Sequence, residues 1–145
     1  KAEYVMTDGE SSSIITVWLS DDTLAFASEA NSQIAAWRFW QTQHPTFFQV
    51  YPNVSYRIEF DRLTSQEMQT VLSDLKQLVS DGDFVDSATI GTRTFDLSSL
   101  TKDSSIQKEV AGWGSFKTFD YADIGDNEAD PVLGKLIQQG FVQSF

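Results

Sequence analysis

The sequence contains no cysteine, and histidine is almost absent. Without cysteine the chain can form neither a disulfide framework nor a thiolate metal site. Cysteine usage therefore does not indicate whether the protein works in an oxidising or a reducing compartment. The single histidine, His44, cannot form a histidine pair that ligates a metal, and a histidine-based triad would have only this one base. His44 precedes Pro45 at the end of a predicted helix. We therefore expect it to be a polar C-terminal cap rather than a catalytic group.

The common signatures of cofactor binding and nucleophilic catalysis are also missing. The sequence holds no P-loop, no G-x-G-x-x-G, no G-x-S-x-G and no H-E-x-x-H motif. We therefore expect no cofactor. The longest largely apolar run, Ile14 to Leu19, is far shorter than the roughly 20 residues that a membrane-spanning helix needs. We expect no membrane partner either.

Positive charge is scarce in this chain. Ten lysines and arginines stand against 21 acids, which gives a formal net charge of −11. A field of this sign repels phosphate backbones and anionic membrane surfaces, so direct nucleic-acid binding is not expected. A macromolecular partner would instead be a protein with a basic surface.

The length and the aromatic content predict one folded domain over residues 1–145. A chain of this length can bury its own core, and an aromatic share of 13% argues against intrinsic disorder. Residues 1–12 end in a polar, turn-rich run and are expected to be a frayed N-terminus. Residues 98–145 are predicted to be an irregular C-terminal extension that packs on the same core.

The clearest local signal is a strand that leads into a helix between Val54 and Gly82. Apolar and polar residues alternate from Val54 to Phe60, the period of a strand with one buried face. Thr64 and Glu67 have the spacing of a capping box, which starts a helix. The apolar stripe of that helix consists of Met68, Val71, Leu72, Leu75, Leu78 and Val79. Gly82 is expected to end the helix.

The segments before this unit are predicted as a strand, an ambiguous segment and a helix. Ser13 to Leu19 is β-branched and almost continuously apolar, as expected of a central strand covered on both faces. Thr23 to Ala27 fits either a short partner strand or the start of a helix, because periodicity over five residues does not decide. Ser28 is a suitable N-cap for a helix extending to about Gln43. His44-Pro45 ends it, because a residue before proline disfavours helical conformation.

A hairpin is predicted just before the second helix, where Phe47 to Tyr51 and Val54 to Phe60 are joined by Pro52-Asn53. The connection is too short for a parallel crossover, so the two strands should pair antiparallel.

A second hairpin is predicted after that helix, from Phe84 to Ile90 and from Arg93 to Leu97, turning at Gly91-Thr92. Three shorter elements follow: a helix around Ser105 to Ala111, a helix from Pro131 to Gln139 and an edge strand from Phe141 to Phe145.

The order strand, helix, strand, strand, helix, strand is that of a ferredoxin-like (βαββαβ) sandwich. The predicted fold class is therefore α+β, with an antiparallel sheet, helices packed on one face of it and the irregular C-terminal extension.

One stretch of this unit resembles a known family. Tyr56 to Thr64, running into Glu67 and the helix, is similar to the strand-to-helix entry of the RAMP proteins of CRISPR effectors. The glycine-rich loop and the basic RNA-binding surfaces typical of that family are missing from this chain. The resemblance therefore implies no function and no site residue here.

The densest charge in the chain is a run of five acids in eleven residues with no base among them, beside several aromatic residues. A solvated loop, a calcium site and a patch facing a basic partner all fit such a run, although its spacing is not that of an EF-hand. Aromatic side chains beside a charged rim are typical of an interface, while burial in the core accounts for the same aromatic residues. The candidate partner-binding residues are Asp120, Asp123, Asp126, Glu128, Asp130, Trp113, Phe116 and Tyr121; no metal ligand is assigned.

Paired carboxylates can hydrolyse glycosides when one is protonated and the other charged. Glu59 with Asp61, or Glu109 with Asp120, would supply such a pair. With 21 acids in the chain, pairs of this kind arise by chance. We assign no catalytic residue and expect no enzymatic activity.

These features predict a small, acidic, non-catalytic protein that binds another macromolecule. Inhibitors of nucleases, immunity proteins and DNA-mimicking anti-restriction or anti-CRISPR proteins have this profile, because carboxylates on a rigid sheet can replace phosphates. One alternative is a structural module of a phage particle or larger assembly. Another is a carboxylate-dependent hydrolase. The oligomeric state is left open.

Overall fold

The computed structural model describes residues 1–29, 33–60, 66–127 and 129–139. Within them the chain forms a nine-stranded sheet, a separate two-stranded hairpin, three α-helices and one 3-10 helix. The strands are β1 (Ala2–Asp8), β2 (Ser11–Leu19), β3 (Thr23–Ser28), β4 (Ile34–Arg38), β5 (Thr46–Tyr51), β6 (Tyr56–Phe60), β7 (Val79–Ser80), β8 (Asp83–Phe84), β9 (Ser87–Ile90), β10 (Arg93–Leu100) and β11 (Lys117–Asp120). The helices are α1 (Gln66–Lys76), α2 (Ser104–Trp113) and α3 (Pro131–Gln139), and the 3-10 helix is Tyr121–Asn127.

The large sheet has the strand order β11-β6-β5-β4-β3-β2-β1-β10-β9. Strands β1 to β6 form a meander in which each strand pairs antiparallel with the next. Strand β10 pairs antiparallel with β1 and β9 with β10, while β11 joins β6 in parallel. Strands β7 and β8 form the separate hairpin. Within the described residues no helix is long and apolar enough to cross a bilayer.

Helix α1 lies against what we call the first face of the sheet. Its stripe of Met68, Val71, Leu72 and Leu75 is buried as predicted, in one cluster with Ile15 and Val17 of β2. Large aromatic side chains, Trp37 and Phe47, fill the same cluster from β4 and β5. Because Leu75 is fully buried there, this packing anchors the helix to the sheet.

Helix α2 packs on the opposite, second face. Its buried residues Ile106, Val110 and Trp113 form a cluster with Trp18, Ala25, Ala36 and Phe48, which alternate along their strands with first-face residues. The prediction of helices on one face only is therefore wrong. The middle strands are apolar on both faces, so each face needs its own cover.

The α+β class with a large antiparallel sheet is confirmed, but the ferredoxin-like βαββαβ core is not. Six consecutive strands precede the first α-helix, and the sheet has nine strands in the described part of the chain. The single-domain assignment stays a prediction.

The expected frayed N-terminus is an interior strand. β1 lies between β2 and β10, and its side chains Ala2 and Tyr4 are buried on the first face. The Tyr4 hydroxyl donates to the Val85 carbonyl oxygen at 2.7 Å. The apolar alternation at Ala2, Tyr4 and Met6 was obscured in the sequence by the polar residues from Asp8 to Ser13, most of which form the exposed β1–β2 turn and the start of β2.

The predicted helix from Ser28 to Gln43 is also wrong over its described part, where the chain forms the end of β3 and then β4. Ala35 and Trp37 face α1, whereas Ile34 and Ala36 face α2. Burial on both faces leaves no period-two pattern, and the resulting apolar spacing mimicked a helix. His44 is exposed in the connection from β4 to β5, so it caps no helix.

Both predicted hairpins form. Tyr51 pairs with Tyr56 and Phe47 with Phe60, although residues 52–55 belong to the turn, so β6 begins two residues later than predicted. The second hairpin turns at Gly91-Thr92, where Gly91 has a φ of 64°. Its first strand begins at Ser87 rather than at the predicted Phe84, which belongs to β8. Thr23 to Ala27, which the sequence left ambiguous, belongs to strand β3.

Helix α1 ends at Lys76 rather than at Gly82. Asp81 and Gly82 have φ values of 53° and 77°, which are typical of a type I′ turn, and they join β7 to β8. Leu78, on the predicted stripe, is fully buried although it lies beyond the helix. Thr64 of the predicted capping box is outside the described residues.

The C-terminal extension adds to the same sheet. Helix α3 has the predicted bounds Pro131–Gln139, and the helix predicted around Ser105 to Ala111 is α2, slightly longer at both ends. β11 extends the sheet beyond β6. The predicted edge strand Phe141 to Phe145 lies outside the described residues.

Candidate partner-binding surface

The predicted site residues lie around β11 and the 3-10 helix that follows it. β11 pairs with β6 in parallel, with Phe119 opposite Ile58, and these two side chains are buried beneath Leu133 and Leu136 of α3. Phe119 is the one buried side chain of β11, and the other three are exposed or half-buried. Phe119 therefore anchors the strand to the core. The chain then turns directly into the 3-10 helix at Tyr121.

Asp120, Asp123 and Asp126 follow one another at intervals of three residues. A 3-10 helix has three residues per turn, so Asp123 and Asp126 lie on one side of it. Both are exposed, and neither forms an ion pair within the described residues. Asp120 is half-buried and its Oδ1 accepts a hydrogen bond from the Ala122 amide at 3.0 Å, which starts the helix. We call these three residues the acidic edge.

Asp130 has a different environment from the acidic edge. Its Oδ1 accepts hydrogen bonds from the amides of Val132 and Leu133, at 3.0 and 3.1 Å, which makes it the N-cap of α3. Its Oδ2 accepts from the Tyr56 hydroxyl at 2.9 Å and from Lys117 Nζ at 3.0 Å. The Leu133 amide above all, then the Lys117 ammonium and the Tyr56 hydroxyl, lower the pKa of Asp130 to about 2. Asp130 thus holds α3 on β11 and β6, and its carboxylate is already engaged.

The three candidate aromatic residues are not equivalent. Tyr121 is 47% exposed and stacks on Phe60, with ring centroids 4.6 Å apart, so it stands at the surface directly after Asp120. Trp113 is 5% exposed and packs edge-on against Trp18 on the second face. Phe116 is half-buried in the same cluster as Trp113. Burial in the core therefore accounts for Trp113, as one interpretation of the sequence held.

The candidate carboxylate pairs are not brought together by any contact in the described parts of the chain. Glu109, on α2, accepts a hydrogen bond from Trp18 Nε1 at 2.9 Å and lies 3.8 Å from Lys1 Nζ. Glu59 is half-buried on β6, and Asp61 is outside the described residues, as is Glu128 of the acidic run. The described residues also contain no group of three or more side chains placed to hold a metal ion.

Sequence reasoning missed a cleft of about 440 Å³ on the second face, between α2 and strands β3 to β6. Arg38 and Arg57 line it together with Asp22, Phe48 and Trp113. The only sequence signal was that Arg57 alternates with the buried Ile58 and so points to the second face. What covers that face could not be read from the sequence.

Comparison with known proteins finds no relative. No protein-family model, no curated protein and no solved structure matches the chain. Its function must therefore be inferred from its own residues.

Proposed function

We propose that this protein is a non-catalytic binding protein whose acidic edge, together with Tyr121, engages the basic surface of a partner protein. One observation carries the proposal: Asp123 and Asp126 are aligned, exposed and without an ion-pair partner in the described residues, and the exposed Tyr121 precedes Asp123 by two positions.

The arrangement works against folding stability. Like charges on one side of a short helix repel each other, and within the described residues Asp123 and Asp126 have no ion-pair partner that offsets this repulsion. A basic partner turns this repulsion into attraction, and the summed field of a chain with charge −11 accelerates the encounter. Three residues of 3-10 helix rise roughly 6 Å, a spacing that two neighbouring lysine or arginine side chains can match.

Tyr121 supplies the other component of an interface. Tyrosine combines a large apolar ring with a hydroxyl and is enriched among residues that dominate binding energy. Stacking on Phe60 holds the ring in place before binding, which reduces the entropy lost on association. Inhibitors, immunity proteins and DNA-mimicking anti-restriction or anti-CRISPR proteins use such surfaces. We propose that this chain belongs to that functional class.

The test compares two variants that remove the same charge. Asp123→Asn/Asp126→Asn removes the two exposed charges of the acidic edge, whereas Asp8→Asn/Glu10→Gln removes two exposed acids at the β1–β2 turn. A partner is first captured from the native host on the wild-type chain and identified by mass spectrometry. Association rates are then measured by surface plasmon resonance at two ionic strengths.

We expect the acidic-edge variant to associate more slowly than wild type and the control variant to associate nearly normally. Added salt should reproduce much of the loss, because ions screen exposed charges. An unchanged association rate for Asp123→Asn/Asp126→Asn, with no dependence on salt, would refute the proposal and favour a structural module of a larger assembly.

A further inference from the structure

The cleft on the second face combines charge with an apolar floor. Ala36, Phe48 and Val50 contribute from the sheet, and Val110 and Trp113 from α2. Its volume of about 440 Å³ is within the range of small-molecule sites, which are typically apolar with a few fixed polar groups.

Arg57 is the polar group with unused capacity in this cleft. Its guanidinium lies over the Phe48 ring, 4.2 Å from the centroid, and its Nε donates to Thr118 Oγ1 at 2.7 Å. Within the described residues it forms no ion pair, and its two Nη nitrogens have no hydrogen-bond partner. Burial lowers the pKa of Arg57, partly offset by Glu59. A half-buried guanidinium with free donors gains strongly from an added acceptor.

Arg38, the second guanidinium of the cleft, is already neutralised. Its Nε lies 3.1 Å from Asp22 Oδ2, and Asp22 Oδ1 accepts from the Thr23 hydroxyl at 2.8 Å. In the described part of the chain, the lining of the cleft therefore holds one guanidinium outside an ion pair, that of Arg57, and one acid, Asp21, outside the Arg38–Asp22 pair. One planar fork of N–H donors matches the two oxygens of a carboxylate.

We propose that this cleft binds a small organic carboxylate. The carboxylate accepts hydrogen bonds from the Nη nitrogens of Arg57, and the apolar body of the ligand lies between Phe48 and Val110. A phosphate dianion carries two charges, whereas the described residues of the cleft offer one guanidinium outside an ion pair, because Arg38 is paired with Asp22. Acids of the chain that lie farther than about 8 Å from the cleft oppose an anion only weakly at physiological ionic strength, because salt screens exposed charges beyond that distance.

The test uses two probes of the same shape, 2-naphthoate and the neutral 2-naphthamide, titrated into the full chain. Affinities are measured by calorimetry, and the site is located from the indole N–H signal of Trp113 in nitrogen–proton correlation spectra. We expect naphthoate to shift that signal and to bind more tightly than naphthamide. Arg57→Gln should weaken naphthoate about tenfold or more and leave naphthamide unchanged.

Two further variants serve as controls. Arg93→Gln removes a guanidinium that is paired with Asp74 of α1 on the first face, and it should leave both probes unaffected. Ala111→Trp places a large ring at an exposed position in the lining of the cleft and should block both probes. Its near-ultraviolet circular dichroism verifies that it folds.

Three outcomes would overturn the inference. Equal affinities for naphthoate and naphthamide would show a crevice that does not select for charge. Unchanged naphthoate binding in Arg57→Gln would remove the proposed anchor. Tighter binding of 2-naphthyl phosphate than of naphthoate would replace the carboxylate with a phosphate.

Discussion

Lys117 Nζ lies 3.0 Å from Asp130 Oδ2, and this ion pair joins the edge strand β11 to the first turn of α3. Because Asp130 also caps α3 and accepts from Tyr56, a single carboxylate connects β6, β11 and the last helix. The C-terminal part of the described chain therefore depends on one acid that the sequence grouped with its exposed neighbours.

Asp130→Ala should destabilise the fold, because it removes the helix cap and the ion pair together. Asp130→Asn should have a smaller effect, since its side-chain oxygen still accepts from the α3 amides. Thermal unfolding followed by circular dichroism measures both, with Asp126→Ala as the exposed control. A melting temperature of Asp130→Ala equal to that of the control would contradict this role.

Titration of the Asp130 carboxylate should make the stability of the fold depend on pH. The pKa of Asp130 is about 2 in the folded protein and ordinarily 3.8. A lowered folded-state pKa adds stability that is complete above pH 3.8 and is lost as the pH falls from 3.8 towards 2. Chemical unfolding across this range should show a steeper loss of stability for wild type than for Asp130→Asn. Parallel pH profiles would be inconsistent with the assignment.

Leu75→Ala should lower the free energy of unfolding by about 2 to 5 kcal/mol, the usual cost of truncating a leucine in a core. Leu75 is fully buried between α1 and the first face. Lys76→Ala, one residue later and exposed, should change the stability by less than about 0.5 kcal/mol. Urea unfolding measures both, and a loss below about 0.5 kcal/mol for Leu75→Ala would mean that α1 is not packed there.

Gly82→Ala and Gly112→Ala should have opposite effects on stability. Gly82 has a φ of 77° in the β7–β8 turn, where a Cβ atom is strained by roughly 1 to 2 kcal/mol even though it meets no neighbour. Gly112 lies in α2, where an added Cβ atom would have open space around it, so alanine there should stabilise the helix by up to about 1 kcal/mol. A stabilising shift of the unfolding midpoint for Gly82→Ala would contradict the turn assignment.

Gln49→Leu should leave the stability of the protein nearly unchanged, although Gln49 lies in the core. Gln49 is fully buried on β5. Among the described residues its Nε2 makes only a long contact of 3.4 Å to the Ile34 carbonyl oxygen, and its Oε1 has no hydrogen-bond partner. Replacing a poorly satisfied amide by an apolar group of similar size should change stability by less than about 1 kcal/mol. Gln49→Glu should be clearly destabilising, because it buries a charge. A larger loss for leucine than for glutamate would refute this.

Local features of the sequence were enough to predict several elements. The stripe of α1, the bounds of α3 and the turns at Pro52-Asn53 and Gly91-Thr92 were recovered because each signal lies within a few neighbouring residues. Strands β1 and β4 were missed because their signals depend on partners. In β4 the neighbouring residues Ala36 and Trp37 are both apolar because they pack on opposite faces of the sheet, each of which is covered by a helix. The sequence therefore shows no alternation that would identify β4 as a strand.

The same limit applies to the candidate site. Composition and local order were enough to show that the chain is acidic, lacks cysteine and has five acids within 120–130. The folded structure distinguishes Asp130, which accepts a hydrogen bond from Tyr56 at a separation of 74 positions, from Asp123 and Asp126, which form no ion pair in the described part of the chain. It alone placed Arg38 and Arg57 beside α2, because burial and electrostatic pairing arise between residues that folding brings together from distant parts of the chain.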